Sequence, residues 1–312
     1  MNILVIGGCG YIGTVLVEKL IMLNHTVTVF DIEWFGNYHK PNKNLNFKKK
    51  DIRDICPADL KDYDSVIHLA NIANDPSVEL NQNLSWEVNV LASNLLIQSL
   101  KKTKVKHIIY ASSGSVYGVK AEEHVTEDLD LVPISTYNKT KMISERVLLS
   151  YKDDFKIHCI RPATVCGFSP RMRLDVTVNM LTFQALKNKV MTVYGGTQIR
   201  PNIHIQDLSN VFIHFLDNPD IESGAYNAGF ENLPILDIAN IVNSKINSKI
   251  EITPTKDIRS YRQNSDKLLK TGFKKKFGVN QAIDEIIEKY NQGLIVEKES
   301  CYTVNWMKKM KL

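Results

Sequence analysis

The sequence predicts an α/β protein with a doubly wound parallel sheet and a smaller C-terminal α/β lobe. In the first half, short apolar runs alternate with stretches whose apolar residues recur at helical spacing, which is the pattern of strand–helix–strand units. Beyond about residue 161, prolines and glycines separate shorter elements. We therefore expect one unit over residues 1–165 and a second over 166–312, with some of the later chain returning to the first unit.

The predicted elements follow in chain order. Strands are expected at 2–6, 26–30, 45–47, 65–69, 107–111 and 156–160. Helices are expected at 11–23, 84–102 and 136–151, and near 176–189, 207–217, 235–244 and 281–292. Because parallel strands need crossover connections, the helices of the first half should cover both faces of the sheet. The tail at 301–312 is either a short helix over the lobe or a loosely ordered end.

Three glycines stand between the first strand and the first helix, where an ordinary turn needs one at most. Gly7 would permit the tight turn, Gly10 the close approach of a pyrophosphate, and Gly13 the packing of the helix on the sheet. The free N–H groups at the start of the helix attract the anion. The pattern predicts a Rossmann-type dinucleotide site.

Asp31 ends the second predicted strand, 24 positions after Gly7 (31 − 7). A carboxylate there accepts hydrogen bonds from both hydroxyls of the adenosine ribose and repels a 2′-phosphate. No arginine follows directly, so the sequence favours NAD over NADP. Oxidised and reduced NAD both remain open as the bound form.

Tyr137 and Lys141 are four residues apart, so on a helix they share one face. A free tyrosine has a pKa of about 10, too high for a good base at neutral pH. A neighbouring ammonium should lower the pKa of Tyr137, and the same lysine can hold the nicotinamide ribose. Ser113, at the end of a predicted strand, would orient a substrate hydroxyl. These three residues predict the oxidation of a hydroxyl by hydride transfer to the nicotinamide.

With these motifs the chain resembles the extended short-chain dehydrogenase/reductase family, in its branch of NAD-dependent nucleotide-sugar epimerases and dehydratases. The resemblance extends to about residue 293. The matching segments are GGCGYIG (7–13), DIRD (51–54), HLAN (68–71), EVNV (87–90), SSGSVYG (112–118), YNKTK (137–141), RPATVCG (161–167) and RPNIHIQD (200–207).

The resemblance implies where the cofactor and the catalytic groups lie. It makes Ser113, Tyr137 and Lys141 the catalytic residues. It places Asp51 and Ile52 at the adenine. The full set of expected NAD contacts is Gly7, Gly10, Tyr11, Ile12, Gly13, Asp31, Asp51, Ile52, Leu69, Ala70, Asn71, Ala111, Ser112, Tyr137, Lys141, Pro162 and Val165. Asn71 stands where alanine is usual, so it is either a polar ligand contact or neutral variation.

The implied substrate is a nucleotide-diphosphate sugar. Ser113 and Ser115 are expected near the sugar. Asn179 matches a residue that contacts the diphosphate, and Arg200 and Arg259 match arginines that bind phosphate oxygens. For either arginine alone, the alternative is a surface ion pair.

The motif after the fifth predicted strand limits which reactions of the family are expected. Dehydratases of the family carry an acid and a base where this chain has Gly114 and Ser115, so a 4,6-dehydratase is disfavoured. The leading hypothesis is oxidation at C4 of the sugar, in sugar synthesis for bacterial surface polysaccharides. The sequence does not separate a 4-epimerase from a 4-dehydrogenase. Three alternatives remain: a GDP-heptose 4-dehydrogenase of capsule synthesis, an NADP-dependent 4-keto-sugar reductase, and a non-catalytic NAD-sensing or structural protein.

The bulk composition bounds the partners. The net charge of +5 is spread along the chain, and the five cysteines have no metal-ligand spacing, so neither a nucleic acid nor a metal is expected. No apolar run approaches the ~20 residues of a membrane span, and no signal peptide is evident, so a cytoplasmic protein is expected. The resemblance implies a homodimer in which the helices at 84–102 and 136–151 form a four-helix bundle with those of a second copy.

Overall fold

The computed structural model describes residues 1–255 and 260–312, and its centre is a seven-stranded parallel sheet. The strands are β1 Asn2–Ile6, β2 Thr26–Asp31, β3 Leu45–Lys49, β4 Ser65–His68, β5 His107–Ala111, β6 Lys156–Pro162, β7 Thr164–Cys166, β8 Val190–Tyr194, β9 Ile199–His204, β10 Gly224–Ala228, β11 Glu231–Pro234 and β12 Lys249–Thr253. The order across the main sheet is β10-β6-β5-β4-β1-β2-β3, and all neighbours run parallel. This confirms the predicted Rossmann-type sheet.

Helices connect these strands. They are α1 Tyr11–Met22, α2 Asp75–Val78, α3 Gln82–Trp86, α4 Ala92–Leu100, α5 Thr136–Leu149, α6 Thr177–Asn188, α7 Ile205–Asp217, α8 Ile235–Lys245, α9 Asp266–Lys270, α10 Val279–Asn291 and α11 Thr303–Lys309. None of the described helices combines the length and the apolar character that crossing a bilayer requires.

The alternation of side chains along β1 divides the core between the two faces of the sheet. Leu4 and Ile6 belong to the core on one face, which helices α4 and α5 cover, and Ile3 and Val5 to the core on the other, which α1 and α7 cover. All four side chains are essentially inaccessible to solvent. The strand therefore reads as an unbroken apolar run, which is typical of a parallel sheet covered on both sides.

The strand order reverses at β1, which lies between β2 and β4. Connections leave β1 and β4 toward opposite sides, so a crevice opens at the carboxyl ends of these strands. Gly7 follows β1 and Asp31 ends β2, while Leu69 follows β4. The topology thus brings the predicted cofactor residues to one edge of the sheet.

The later part of the chain forms a second core and also returns to the first. Helices α6, α8 and α10 pack around β8, with Leu181, Val242 and Ile283 fully buried. Strand β10 joins the edge of the main sheet beside β6, and α7 covers one of its faces. The division at residue 165 remains a prediction.

The helix expected at 84–102 is one continuous segment made of three pieces. A wider π-helical turn, Glu87–Leu91, separates α3 from α4. Asn89 lies in this turn, where its side chain accepts a hydrogen bond from Ile72 N at 2.8 Å and donates one to Ile72 O at 3.1 Å. Such turns are common at functional sites. They leave no signature in apolar periodicity, so the prediction missed this one.

Candidate active site

The glycine loop has the geometry that its spacing predicts. Gly7 has φ +85°, and a Cβ there would lie 2.5 Å from Ala70 N. A Cβ on Gly13 would lie 2.6 Å from the Cα of Gly8, so this glycine lets α1 start against the loop. At Gly10, in contrast, the nearest atom to a Cβ would be Gly7 O at 3.5 Å, and this residue faces an open cavity. Two of the glycines are required by the fold and the third leaves room for a ligand.

Asp31 lies at the wall of a smaller cavity beside the loop, together with Asp51, Ile52 and Ala70. Its carboxylate accepts hydrogen bonds from Cys9 N at 2.9 Å and Glu33 N at 2.7 Å. Burial raises the pKa of Asp31 above its usual value, and these two N–H groups oppose the rise. The carboxylate is thus held in place at the side of the cleft where the adenosine ribose is expected.

The predicted catalytic residues line the larger cavity, whose volume of about 580 Å³ is typical of ligand sites. Ser113 caps the turn after β5, and its Oγ lies 2.7 Å from Ser115 Oγ. Tyr137 and Lys141 lie one turn apart on α5. The sequence separation between Ser113 and α5 gives no sign of this proximity, which comes from the packing of α5 beside β5 and β6.

The expected effect of Lys141 on Tyr137 is wrong for this structure. Burial raises the pKa of Tyr137 to about 12, and the Ser113 hydroxyl only partly opposes this. Lys141 Nζ donates instead to Ala111 O at 2.6 Å, and it lies 3.4 Å from Tyr110 Oη. Burial also lowers the pKa of Lys141 to about 7. Without a ligand, the Tyr137 phenol is therefore protonated at neutral pH, and Lys141 gains and loses its proton close to pH 7.

The other cofactor residues lie on the same cleft, but two hydroxyls point elsewhere. Those lining the larger cavity include Gly7, Gly10, Tyr11, Ile12, Gly13, Leu69, Asn71, Ala111, Ser112, Pro162 and Val165. Tyr11 Oη donates to Gly167 O at 2.6 Å, and Ser112 Oγ donates to Glu145 at 2.6 Å. In this structure both hydroxyls are hydrogen-bonded to protein groups, so Tyr11 and Ser112 border the cavity through their other atoms.

The predicted substrate residues divide into three groups. Ser113, Ser115 and Arg200 line the cavity, and the Arg200 guanidinium lies 5.3 Å from the ring centre of Tyr261. Asn179 is fully buried behind the wall, where its side chain accepts from Gly167 N at 3.0 Å and donates to Tyr11 Oη at 3.0 Å. Arg259 lies outside the described residues. Asn179 thus supports the cavity wall in this structure, and its phosphate contact stays a prediction.

A dinucleotide fits the residues that line the cleft. Gly10 leaves open space at the start of α1, where backbone N–H groups attract an anion. Asn71 borders both cavities, and in the part of the chain that the structure describes neither its Oδ1 nor its Nδ2 has a hydrogen-bond partner although both are buried. Such a buried amide is costly unless a ligand supplies the missing bonds. The cleft therefore has room, anion-binding groups and a polar group that lacks a partner.

Comparison with known proteins identifies the family of this chain. The sequence model of the NAD dependent epimerase/dehydratase family matches residues 3–229. The chain belongs to this family. It is an NAD-dependent enzyme of the nucleotide-sugar epimerase/dehydratase type, as the resemblance to extended short-chain dehydrogenase/reductases implied, and the predicted cofactor is confirmed.

Relatives within the epimerase/dehydratase family are distant but cover most of the chain. A UDP-glucose 4-epimerase of Lactobacillus helveticus is 28% identical over 269 residues, which are 78% of this chain and 82% of that protein. The UDP-glucuronic acid 4-epimerase of Bacillus cereus, solved with UDP-glucuronic acid and NAD, has a TM-score of 0.81 at 25% identity and covers 94% of this chain and 99% of its own. The UDP-N-acetylglucosamine 4-epimerase of Methanobrevibacter ruminantium M1 shares the fold, with a TM-score of 0.84 at 24% identity over 92% of this chain and 98% of its own.

A buried polar network lies behind the cavity of this enzyme, and the sequence analysis missed it. Arg161 forms an ion pair with Glu145 at the back of the site, and both side chains are almost inaccessible to solvent. Glu145 also accepts from Ser112 Oγ, and Arg161 Nη1 donates to Tyr117 Oη at 2.5 Å. Glu145 follows Lys141 by one helical turn, so helical spacing offered a signal. The network fixes the end of β5, where Ser113 begins its turn, against β6 and α5.

Other lining residues were also missed. Arg171, Arg173 and Asp175 come from the loop before α6, and Arg173 Nε donates to Asp175 Oδ1 at 2.8 Å. Burial lowers the pKa of Arg171 to about 10. Further residues come from the segment after β2 and from the C-terminal helix, namely Trp34, Phe35, Thr303, Val304 and Met307. No motif marks these positions, since only the folded chain brings them together.

Proposed function

We propose that this enzyme is a nucleotide-sugar 4-epimerase, which oxidises C4 of a sugar and then returns the hydride to its other face. The observation that carries the proposal is the shared cavity: Ser113, Tyr137 and Lys141 line it together with the glycine loop. Two relatives support C4 as the reacting carbon: one similar in sequence and one similar in structure are both named 4-epimerases.

In this proposal Tyr137 exchanges the proton of the C4 hydroxyl. The Ser113 hydroxyl, positioned by Ser115 Oγ, orients that hydroxyl toward the phenol. When bound, NAD supplies the hydride acceptor in the first half of the reaction and the hydride donor in the second. Because the pKa of Tyr137 is about 12, the phenol must become more acidic and lose its proton before the phenolate can accept the proton of the C4 hydroxyl at neutral pH. Movement of the Lys141 ammonium away from Ala111 O would do this.

The substrate diphosphate is assigned to the side of the cavity formed by the second lobe. Arg200 lines this side, and its planar guanidinium can bind phosphate oxygens in pairs. Arg259 and Asn179 remain predicted phosphate contacts. We expect the cavity end with Ser113 and Tyr137 to hold the sugar. From the sequence features we expect the activity in the cytoplasm, and from the resemblance we expect a role in sugar synthesis for surface polysaccharides.

Deuterium at C4 of the substrate separates the possible outcomes. UDP-, GDP-, CDP- and dTDP-sugars labelled in this way are incubated with the enzyme and analysed by mass spectrometry and NMR. A 4-epimerase gives the C4 epimer with the deuterium retained. A 4-dehydrogenase gives a keto sugar that has lost the label together with the hydroxyl proton. A product that has lost water, or no product with any sugar, would contradict the proposal.

We also propose that the enzyme is a homodimer through α4 and α5. Leu91 and Leu95, on successive turns of the long helical segment, are 56% and 51% exposed. These two exposed leucines lie on a helical segment that the resemblance assigns to the four-helix bundle, and a second copy would cover them. Light scattering should give the dimer mass for the unmodified protein and the monomer mass for Leu91→Glu/Leu95→Glu. A monomeric unmodified protein would refute this assignment.

A further inference from the structure

The C-terminal segment 301–312 lies across the active-site cavity. Its helix, α11, contributes Thr303, Val304 and Met307 to the wall of the cavity that also contains the glycine loop and Tyr137. The family match ends at residue 229, so nothing in that comparison assigns a role to this segment. We refer to residues 301–312 as the C-terminal strap.

The strap is attached on both sides of the cavity. Trp306 Nε1 donates to Trp34 O at 2.6 Å, which ties the strap to the segment after β2 of the main sheet. Thr303 N donates to Asp175 Oδ2 at 2.8 Å, and Leu174 N donates to Cys301 O at 3.0 Å, which tie it to the loop before α6. The strap therefore bridges the segment next to the cofactor loop and the second lobe.

Apolar packing reinforces these hydrogen bonds. Met307 is 3% exposed and lies in the same core cluster as Phe35 and the terminal Leu312. The Arg171 guanidinium lies 4.0 Å from the ring centre of Phe35, also on the cavity wall. Phe35 and Met307 line the cavity from opposite ends of the sequence, so this part of the wall depends on the position of the strap.

We propose that the C-terminal strap completes the cofactor site and retains NAD in the cleft between turnovers. Release of a dinucleotide through this side requires Met307 to leave its apolar contacts and the Trp306–Trp34 hydrogen bond to break. The strap is then a determinant of the dissociation rate of NAD. This inference rests on the NAD dependence of the family and does not depend on which sugar is the substrate. A retained cofactor suits a reaction in which the hydride returns to the same sugar.

Dissociation of NADH tests the strap directly. Protein loaded with NADH is mixed with excess NAD⁺ in a stopped-flow instrument, and the loss of bound NADH fluorescence gives the rate. Met307→Ala should raise this rate by about tenfold or more, since the lost apolar contacts correspond to at least ~1.4 kcal/mol. Trp306→Phe keeps the aromatic ring but loses the indole N–H, and should raise the rate by about fivefold. Met310→Ala is the matched control: Met310 is 37% exposed at the end of the same helix, and its variant should leave the rate unchanged.

Circular dichroism melting separates retention from general destabilisation. If Met307→Ala fails to fold, Trp306→Phe decides the question. Folded Met307→Ala or Trp306→Phe protein that releases NADH at the rate of the unmodified enzyme would overturn the proposal, as would an equal increase in Met310→Ala. Absence of 4-epimerase activity would leave these rates, and hence this inference, unaffected.

Discussion

Lys141 Nζ donates a hydrogen bond to Ala111 O at 2.6 Å, so helix α5, which carries the predicted catalytic Tyr137, is tied to the carboxyl end of β5. The ammonium is buried between these elements, near Cys159 and Glu145, and burial lowers the pKa of Lys141 to about 7. In the unfolded chain this pKa returns to its usual value near 10.5. The interaction therefore makes the stability of the ligand-free protein depend on pH.

The contribution of Lys141 to the stability of the ligand-free protein should depend on pH. Between pH 7 and 10.5 the unfolded chain binds more protons at Lys141 than the folded protein, so the contribution of Lys141 to the free energy of unfolding rises with pH. Lys141→Met removes the titration and keeps the length of the side chain. We measure urea unfolding of NAD-free protein at pH 7 and 9. The free energy of unfolding of Lys141→Met, relative to that of the unmodified protein, should be higher at pH 7 than at pH 9. A difference between the two proteins that is the same at both pH values would contradict the assigned pKa.

Tyr137→Phe should abolish the proton transfer while leaving the cavity shape unchanged. We expect turnover to fall by about 10²–10⁴-fold, the range for loss of a general acid or base. NADH binding, followed by fluorescence, should stay within about twofold. Tyr194→Phe provides a control, because Tyr194 is 57% exposed and does not line the cavity. Similar turnover in Tyr137→Phe and the unmodified enzyme would remove Tyr137 from its role.

Asp31→Asn should relax the preference for NAD over NADP. Cys9 N and Glu33 N donate to different oxygens of the Asp31 carboxylate, so the amide keeps an acceptor for only one of them. It also loses the charge that repels a 2′-phosphate. Fluorescence titrations with NADH and NADPH should show weaker NADH binding and tighter NADPH binding. Tighter binding of NADPH than NADH by the unmodified protein would refute the assigned role of this carboxylate.

Asn71→Ala should have opposite effects on the free and the bound protein. Because both amide atoms are buried without partners among the described residues, alanine should raise the melting temperature of NAD-free protein. The same change should weaken the binding of NADH or of the sugar nucleotide by about tenfold, depending on which of the two bonds to the Asn71 amide. Separate titrations with NADH and with a sugar nucleotide identify the partner. Unchanged affinity for both would make Asn71 neutral variation.

Glu145→Gln should destabilise the protein strongly by leaving Arg161 buried without its ion pair. Loss of one partner of a buried pair costs about 3–5 kcal/mol. The pair is almost fully buried here, so we expect a value in this range from urea unfolding. Glu79→Gln, at an exposed position, is the control. A change below about 1 kcal/mol would show that the network is not fixing the end of β5.

The parts of the site that the sequence predicted are local in the chain. Gly7, Gly10 and Gly13 lie in one turn, and Tyr137 and Lys141 lie on one helical face, so spacing alone relates them. Six of the seven strands of the main sheet were predicted to within two residues. Most of these six are buried on both faces and are therefore marked by apolar runs, although the edge strand β3 is largely exposed. Strand β10 was missed, since its sequence, GAYNA, is neither alternating nor strongly apolar.

The sequence by itself determined most strands of the main sheet, the dinucleotide turn and the residues at the carboxyl ends of those strands, because each is marked by a local pattern of apolar residues or glycines. Only the tertiary structure decided that burial raises the pKa of Tyr137, and that Trp306 meets Trp34 across 272 positions. Burial and long-range contact depend on how separate elements pack together. That packing carries no period or spacing in the sequence, so it becomes visible only in the folded chain.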